Sequence, residues 1–232
     1  MERRYLPNEE CPVSLESRSD TAPAKIVGRA AVFYDGTPDT EYELYAAITD
    51  ADGRVISPAL IERINPRAFN KALSERQDVR ALFNHDPNLV LGRTSARTLM
   101  LAKSLRGLDY EVDPGNTTVA KDVQEHISRK DVTGSSFGFN VREQKFSWDE
   151  ERQADIREIL SVDLYDVGPV TFPAYGDATS AATRSDLGLA ECRSAYDSWK
   201  STAADQLKAS KAREQRLTEL NERKAKVAGE QA

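Results

Sequence analysis

Thr133-Gly134-Ser135-Ser136-Phe137-Gly138-Phe139-Asn140-Val141 combines a strand-like alternation with small residues where a strand ordinarily carries bulk. With a two-residue period, Ser135, Phe137, Phe139 and Val141 point one way, and Ser136, Gly138 and Asn140 the other. The first face calls for a core. The second leaves a hydroxyl on a nearly bare backbone surface, and a glycine inside a strand often marks a place where another chain or a ligand approaches closely. Ser136, and not Ser135, is therefore the candidate nucleophile, although solvent alone accounts for an isolated serine on a polar face.

The flanks extend this reading. Residues 118–130 place Val119, Val123 and Ile127 four apart, an amphipathic helix leading into the serine strand. Downstream, Ser147-Trp148-Asp149-Glu150-Glu151 reads as a hairpin tip, and residues 156–167 as the returning strand, redirected by Gly168-Pro169. A hairpin sets this strand beside that of Ser136, which makes Asp163 and Asp166 candidate neighbours of the hydroxyl. Alternation puts the two on opposite faces, so only one can serve.

Upstream, residues 25–34 are β-rich and end in the turn Asp35-Gly36-Thr37-Pro38; residues 41–48 read as a weaker strand. After residues 60–64, Asn65-Pro66 supplies an N-cap and an N1 proline for a short helix with Phe69, Ala72 and Leu73 inside. Residues 79–85 are strand-like and end in the turn Asp86-Pro87-Asn88, so His85 falls at a strand terminus on the side of Val79, Ala81 and Phe83. Residues 89–94 and 99–105 read as a strand pair, with a further strand at 108–112. Many short strands separated by turns predict an α+β, mainly β fold: a small closed antiparallel barrel with flanking helices. Residues 1–24 lack periodicity and read as a flexible arm or an edge extension. Residues 25–177 form the expected domain. Residues 178–232, rich in Ala, Lys, Glu, Arg and Gln, read as a helical or disordered tail with Tyr196, Trp199, Ala203 and Leu207 as a fading apolar stripe.

Composition narrows the function. The 232 residues are 39% hydrophobic and 30% charged, without an apolar run near the roughly 20 residues that span a bilayer. Residues 1–7 do not resemble a signal peptide, and cytoplasmic synthesis is expected. A formal charge of -6 argues against a nucleic-acid partner held by phosphate contacts. Cys11 and Cys192, near opposite ends, supply neither a disulfide framework nor a metal cluster, and no cofactor is called for.

A serine hydroxyl needs a base, and imidazole suits that role near neutrality. His85 and His126 are the two histidines; His126 reads as a helix-surface residue, which leaves His85. A carboxylate that fixes the imidazole tautomer and stabilises its charged form completes the unit, and charge alone admits Asp163 or Asp166.

With these residues in place, the chain resembles the prohead maturation proteases of tailed bacteriophages, a serine peptidase group that resembles the herpesvirus assemblins. The likeness lies in residues 60–73 with their Asn65-Pro66-Arg67-Ala68-Phe69 core, in Asn84-His85-Asp86, in the helix running into Gly134-Ser135-Ser136-Phe137-Gly138-Phe139, and in residues 164–174 ending in Pro173-Ala174. It covers residues 25–177 and implies His85 as general base, Ser136 as nucleophile and Asp166 as third member. Family members often carry glutamate where Asp166 stands, which reaches one methylene further, and Asp163 is the fallback. The resemblance further implies an endopeptidase, active in the host cytoplasm inside the assembling prohead. Its implied partners are scaffold segments, the scaffold-like extension of the major capsid protein and its own tail, and a homodimer is worth testing. The competing expectation is a noncatalytic assembly or scaffolding protein that retains the fold. Substrate is expected as an added strand across the Ser136–Gly138 face. Oxyanion donors are sought near Gly92-Arg93 or Gly168, where structural turns are the equal alternative.

Overall fold

The computed structural model describes residues 1–5, 10–17, 24–172 and 189–229. Its strands are β1 (Glu2–Tyr5), β2 (Val13–Glu16), β3 (Lys25–Val32), β4 (Tyr42–Tyr45), β5 (Ile48–Thr49), β6 (Val55–Ser57) and β7 (Leu60–Ile64). Helix α1 (Asn70–Ser74) follows, then β8 (Arg80–Leu82), β9 (Val90–Arg93), β10 (Leu99–Lys103), β11 (Gly107–Val112) and helix α2 (Thr118–Ser128). The long hairpin of β12 (Gly134–Asp149) and β13 (Ala154–Val170) comes next, and α3 (Ala190–Gly229) follows it. The chain divides into two compact units, Met1–Gly188 and Leu189–Ala232.

The hairpin organises the first unit. β12 and β13 run to 16 and 17 residues, longer than ordinary strands, because apolar alternation persists through Phe137, Phe139, Ile156, Val162 and Leu164. Around them the main sheet has the order β1-β12-β13-β7-β4, with β8 also on β13 and β9 beside β8. A second sheet, β10-β11-β3-β2, packs on the Ser135 face of β12. There Tyr110 Oη lies 2.8 Å from Ser135 Oγ, and the Ser135 amide donates to the Cys11 carbonyl at 2.8 Å. Beneath the hairpin, Phe137 stacks on Phe139 at 4.8 Å and meets Phe69 edge-on at 5.5 Å, and Phe33 lies 6.1 Å from Phe69. This aromatic row fills the face that the alternation assigns to the core.

The closed antiparallel barrel is not what these strands build: among the described residues no sheet closes on itself. β13 takes β7 and β8 in parallel at successive registers, Asp155–Ile159 against the first and Asp166–Val167 against the second. Among the described residues hydrogen bonding therefore spreads into open sheets, the main one ending at β1, β4 and the β8-β9 branch, the second at β10 and β2, with β5 and β6 as a separate pair. The same division separates the strands expected as a pair at 89–94 and 99–105. β9 pairs with β8, whereas β10 pairs with β11 in the other sheet. Asn65-Pro66 opens a turn in which Asn65 Oδ1 accepts from the Arg67 amide at 2.9 Å, and the helix begins later, at Asn70. α2 starts as the sequence predicts, with Thr117 Oγ1 accepting from the Ala120 amide at 3.1 Å and with Val123 and Ile127 buried.

Of residues 1–24, expected as an arm or an edge extension, Glu2–Tyr5 is an edge strand of the main sheet and Val13–Glu16 of the second. Residues 173–177, with Pro173-Ala174 and the expected domain boundary, lie outside the described residues. Within the second unit, Tyr196 and Trp199 lie side by side on α3 with the Lys200 ammonium over both rings. No helix among the described residues is long and apolar enough to cross a membrane.

Candidate active site

His85 is positioned by a turn. Past β8 the Phe83 amide donates to the Leu89 carbonyl at 3.1 Å, and Asn84 and His85 both adopt the left-handed conformation, φ 54° and 57°. Two consecutive non-glycine residues there hold strain that the surroundings must offset, a situation that clusters at functional sites. Asn84 supplies the offset: its amide donates to the Pro169 carbonyl at 3.0 Å, its Nδ2 donates to Thr171 Oγ1 at 2.9 Å, and its Oδ1 accepts from the Thr171 amide at 2.8 Å. These three bonds tie the turn to the end of β13. Strand alternation, which would align His85 with Val79 and Phe83, does not extend through this turn.

The clamp brings the imidazole between the two long strands. Nε2 lies 2.6 Å from Ser136 Oγ, and Nδ1 is hydrogen-bonded to Asp166 Oδ1. All three residues are buried. Gly138 is the register partner of Asp166, and a Cβ at position 138 would overlap that carboxylate. The close approach that a glycine inside this strand predicts is thus made by the third residue of the constellation itself.

Asp163 is held elsewhere. The register shifts between Gly138 and Phe139, so that Gly138 faces Asp166, Phe139 faces Leu164, and Tyr165 is the extra residue. Since Gly138 and Asn140 share a face, their partners Asp166 and Asp163 share it too, contrary to simple alternation. Distance along the strand separates them. Asp163 accepts from Gln77 Nε2 at 2.7 Å and pairs with Arg142. The Arg142 guanidinium holds its carboxyl below the usual aspartate range, with help from Gln77. Gln77 Oε1 also accepts from the Leu164 amide at 2.8 Å, bracing the bulge. His126 lies on the exposed side of α2, 3.6 Å from the Asp131 carboxylate.

Sequence reasoning missed what covers the serine. β1 runs antiparallel along β12 with Tyr5 opposite Ser136, and the Ser136 hydroxyl lies within donating distance of the Arg4 carbonyl, 2.9 Å. On the other face of the same strand, with Phe137 and Phe139, sits a buried ionic cluster. Arg4 pairs with Glu62 and Glu2, and Arg157 Nη1 donates to Glu2 and to Glu62, each at 2.7 Å. Burial alone would raise the Glu2 carboxyl, but the Arg157 hydrogen bond and the two guanidinium charges hold it below its ordinary value. The available signal was a charge inside an apolar strand, at Glu62 between Ile61 and Arg63-Ile64 and at Arg157 between Ile156 and Glu158-Ile159.

The two glycines considered for oxyanion stabilisation have structural reasons of their own. A side chain at Gly168 would overlap the Leu82 carbonyl, and one at Gly92 would press on the Thr98 carbonyl at 2.7 Å.

Comparison with known proteins matches residues 35–190 to the family described as caudovirus prohead serine protease. No curated protein and no solved structure matches the chain.

Proposed function

The chain belongs to the caudovirus prohead serine protease family, and from that premise we propose that Ser136, His85 and Asp166 are its catalytic residues. The observation that carries the assignment is the imidazole bridging the Ser136 hydroxyl at 2.6 Å and the buried Asp166 carboxylate.

In the reaction that follows, His85 Nε2 takes the hydroxyl proton as Ser136 Oγ bonds to the scissile carbonyl carbon. When the tetrahedral intermediate collapses, the carbon–nitrogen bond breaks and the leaving amine takes the proton from Nε2. Water, deprotonated by the same nitrogen, then hydrolyses the acyl-serine. Asp166 holds Nδ1–H and offsets the transient imidazolium charge. General-base assistance of this kind contributes about 10²–10⁴ in rate.

The proposed substrates are scaffold segments and the scaffold-like extension of the major capsid protein, cut inside the assembling prohead, together with the chain's own tail. Co-expression with the major capsid protein tests this. Mature capsid termini, read by mass spectrometry, are expected with the unaltered chain and lost with Ser136→Ala. Unchanged processing in that variant defeats the assignment, and normal assembly without any fragment returns the function to a noncatalytic assembly protein.

A further inference from the structure

We propose that the edge of β12 beside Ser136 is a peptide-strand site, made charge-selective by the buried Glu62–Arg157 pair. It takes an extended segment carrying an acid and a base two residues apart, and β1 is its occupant within this chain. The inference rests on Ser136 being the nucleophile only where it concerns catalysis; recognition of the strand stands on its own.

Geometry supplies the first argument. One edge of β12 belongs to β13 through the hairpin, and the other is filled by β1 in the register Glu2 to Phe139, Arg3 to Gly138, Arg4 to Phe137 and Tyr5 to Ser136. A strand added to a sheet edge is a common way for proteins to bind peptides, with main-chain bonds for affinity and alternate side chains for specificity. Here a peptide carbonyl of the added strand, that of Arg4, stands 2.9 Å from Ser136 Oγ.

The second argument is chemical. Attack requires the carbonyl carbon within about 3–3.5 Å of the nucleophile on an aligned path, but in β1 the carbonyl oxygen faces the hydroxyl as an acceptor. A serine hydroxyl has one proton. Given to the Arg4 carbonyl, that proton is not given to His85 Nε2, so the docked strand both fills the site and competes with the base.

Charge supplies the third. Glu62 on β7 and Arg157 on β13 pair with each other at 2.7 Å, a neutral unit that needs no strand. β1 brings a second neutral unit, and the pairs cross: Arg4 reaches Glu62, while Arg157 donates to Glu2 at 2.7 and 2.9 Å. Buried charges are tolerated when paired and costly when one partner is lost. Docked or undocked, this cluster leaves no net charge, so the strand is exchangeable. A segment with the charges in the opposite order sets acid against Glu62 and base against Arg157. The guanidinium of Arg4 also lies over the Phe139 ring at 5.2 Å, which an acid cannot reproduce.

The test uses the full chain and two synthetic heptapeptides: the sequence of residues 1–7, carbon-13 labelled, and the same peptide with its Glu2 and Arg4 counterparts exchanged. Excess of the first is expected to raise hydrogen exchange at the Glu2–Tyr5 amides of the unaltered chain, and the exchanged peptide is not. Fluorescence anisotropy is expected to show the first peptide binding the Glu2→Gln/Arg4→Gln chain at least tenfold more tightly than the unaltered one, also when Ser136→Ala is added. A fluorophosphonate is expected to label Ser136 at least tenfold faster in the Glu2→Gln/Arg4→Gln chain. Equal behaviour of the two peptides, or exchange at β1 that neither alters, overturns the proposal; equal labelling rates alongside it leave the peptidase assignment standing. Charge-selective binding with no labelling in any chain supports the strand site and removes the peptidase assignment. Should the double variant not fold, the exchange measurement on the unaltered chain decides.

Discussion

Gly138 stands directly across the hairpin from Asp166, and the carboxylate occupies the space a side chain at position 138 would fill. The bare backbone at 138 is therefore a requirement of the aspartate, which must reach back to His85 Nδ1. Gly138→Ala is expected to keep the fold and lower kcat by about 10²-fold, the scale of an ångström-sized misplacement of a catalytic group. Turnover of a capsid-derived peptide, with circular dichroism to verify folding, checks this. An alanine variant with full activity would show that Asp166 has room to spare.

The two aspartates separate by substitution. Asp166→Asn removes the carboxylate that holds the imidazole tautomer, for which a loss of about 10⁴ in kcat is expected by analogy with other triads. Asp163→Asn is expected to leave kcat nearly unchanged and to act on stability through Arg142 and Gln77. Arg142 depresses the Asp163 carboxyl in the folded chain, so its contribution is complete above the unfolded value of about 3.9 and fades as pH falls through the lower folded one. The urea midpoints of wild type and Asp163→Asn should thus differ at pH 7 and draw together as pH falls below the unfolded value. A difference that persists in acid rules this linkage out.

Asn84 is expected to act through His85, whose turn it ties to the end of β13. Asn84→Gly keeps the left-handed backbone accessible and deletes the side-chain bonds to Thr171, whereas Asn84→Ala also strains the turn. Both are expected to lower kcat with little change in KM, and both to lose stability through the deleted bonds. A purely structural role would instead leave the kcat of the folded fraction intact in both. Single-turnover rates with thermal unfolding distinguish the two.

The sequence was most legible where a period persists. Alternation through residues 133–141 sets Ser135 and Phe137 toward the core and Ser136 toward the other face, and the hairpin tip, expected at 147–151 and found at 150–153, sets β13 beside β12. Legibility failed where local geometry breaks the period. The left-handed pair Asn84-His85 redirects the imidazole, and the bulge at Tyr165 moves Asp163 onto the face of Asp166. Parallel pairing of β13 with β7 and β8 joins segments far apart in sequence, a relation no local pattern encodes, and open sheets stand where a barrel was expected. β1 was hidden for a different reason. Four residues are too few for periodicity, and their docking depends on Glu62 and Arg157, which lie 58 or more residues away.

The adjacent serines give the sharpest contrast. Ser135 Oγ faces the second sheet, 2.8 Å from Tyr110 Oη and 3.3 Å from the Pro12 carbonyl. Burial raises the Tyr110 hydroxyl well above its ordinary value, and the bond to Ser135 offsets part of that shift. Ser135→Ala leaves the Tyr110 hydroxyl without this partner, and a buried polar group so stranded costs about 1–3 kcal/mol. Ser136→Ala removes a hydroxyl from the opposite face, beside His85. Ser135→Ala is accordingly expected to lower the urea midpoint and retain peptidase activity, and Ser136→Ala to fold and lose it. Both quantities come from one preparation of each variant. If Ser135→Ala abolishes turnover while folded, or Ser136→Ala retains it, the nucleophile does not stand at position 136.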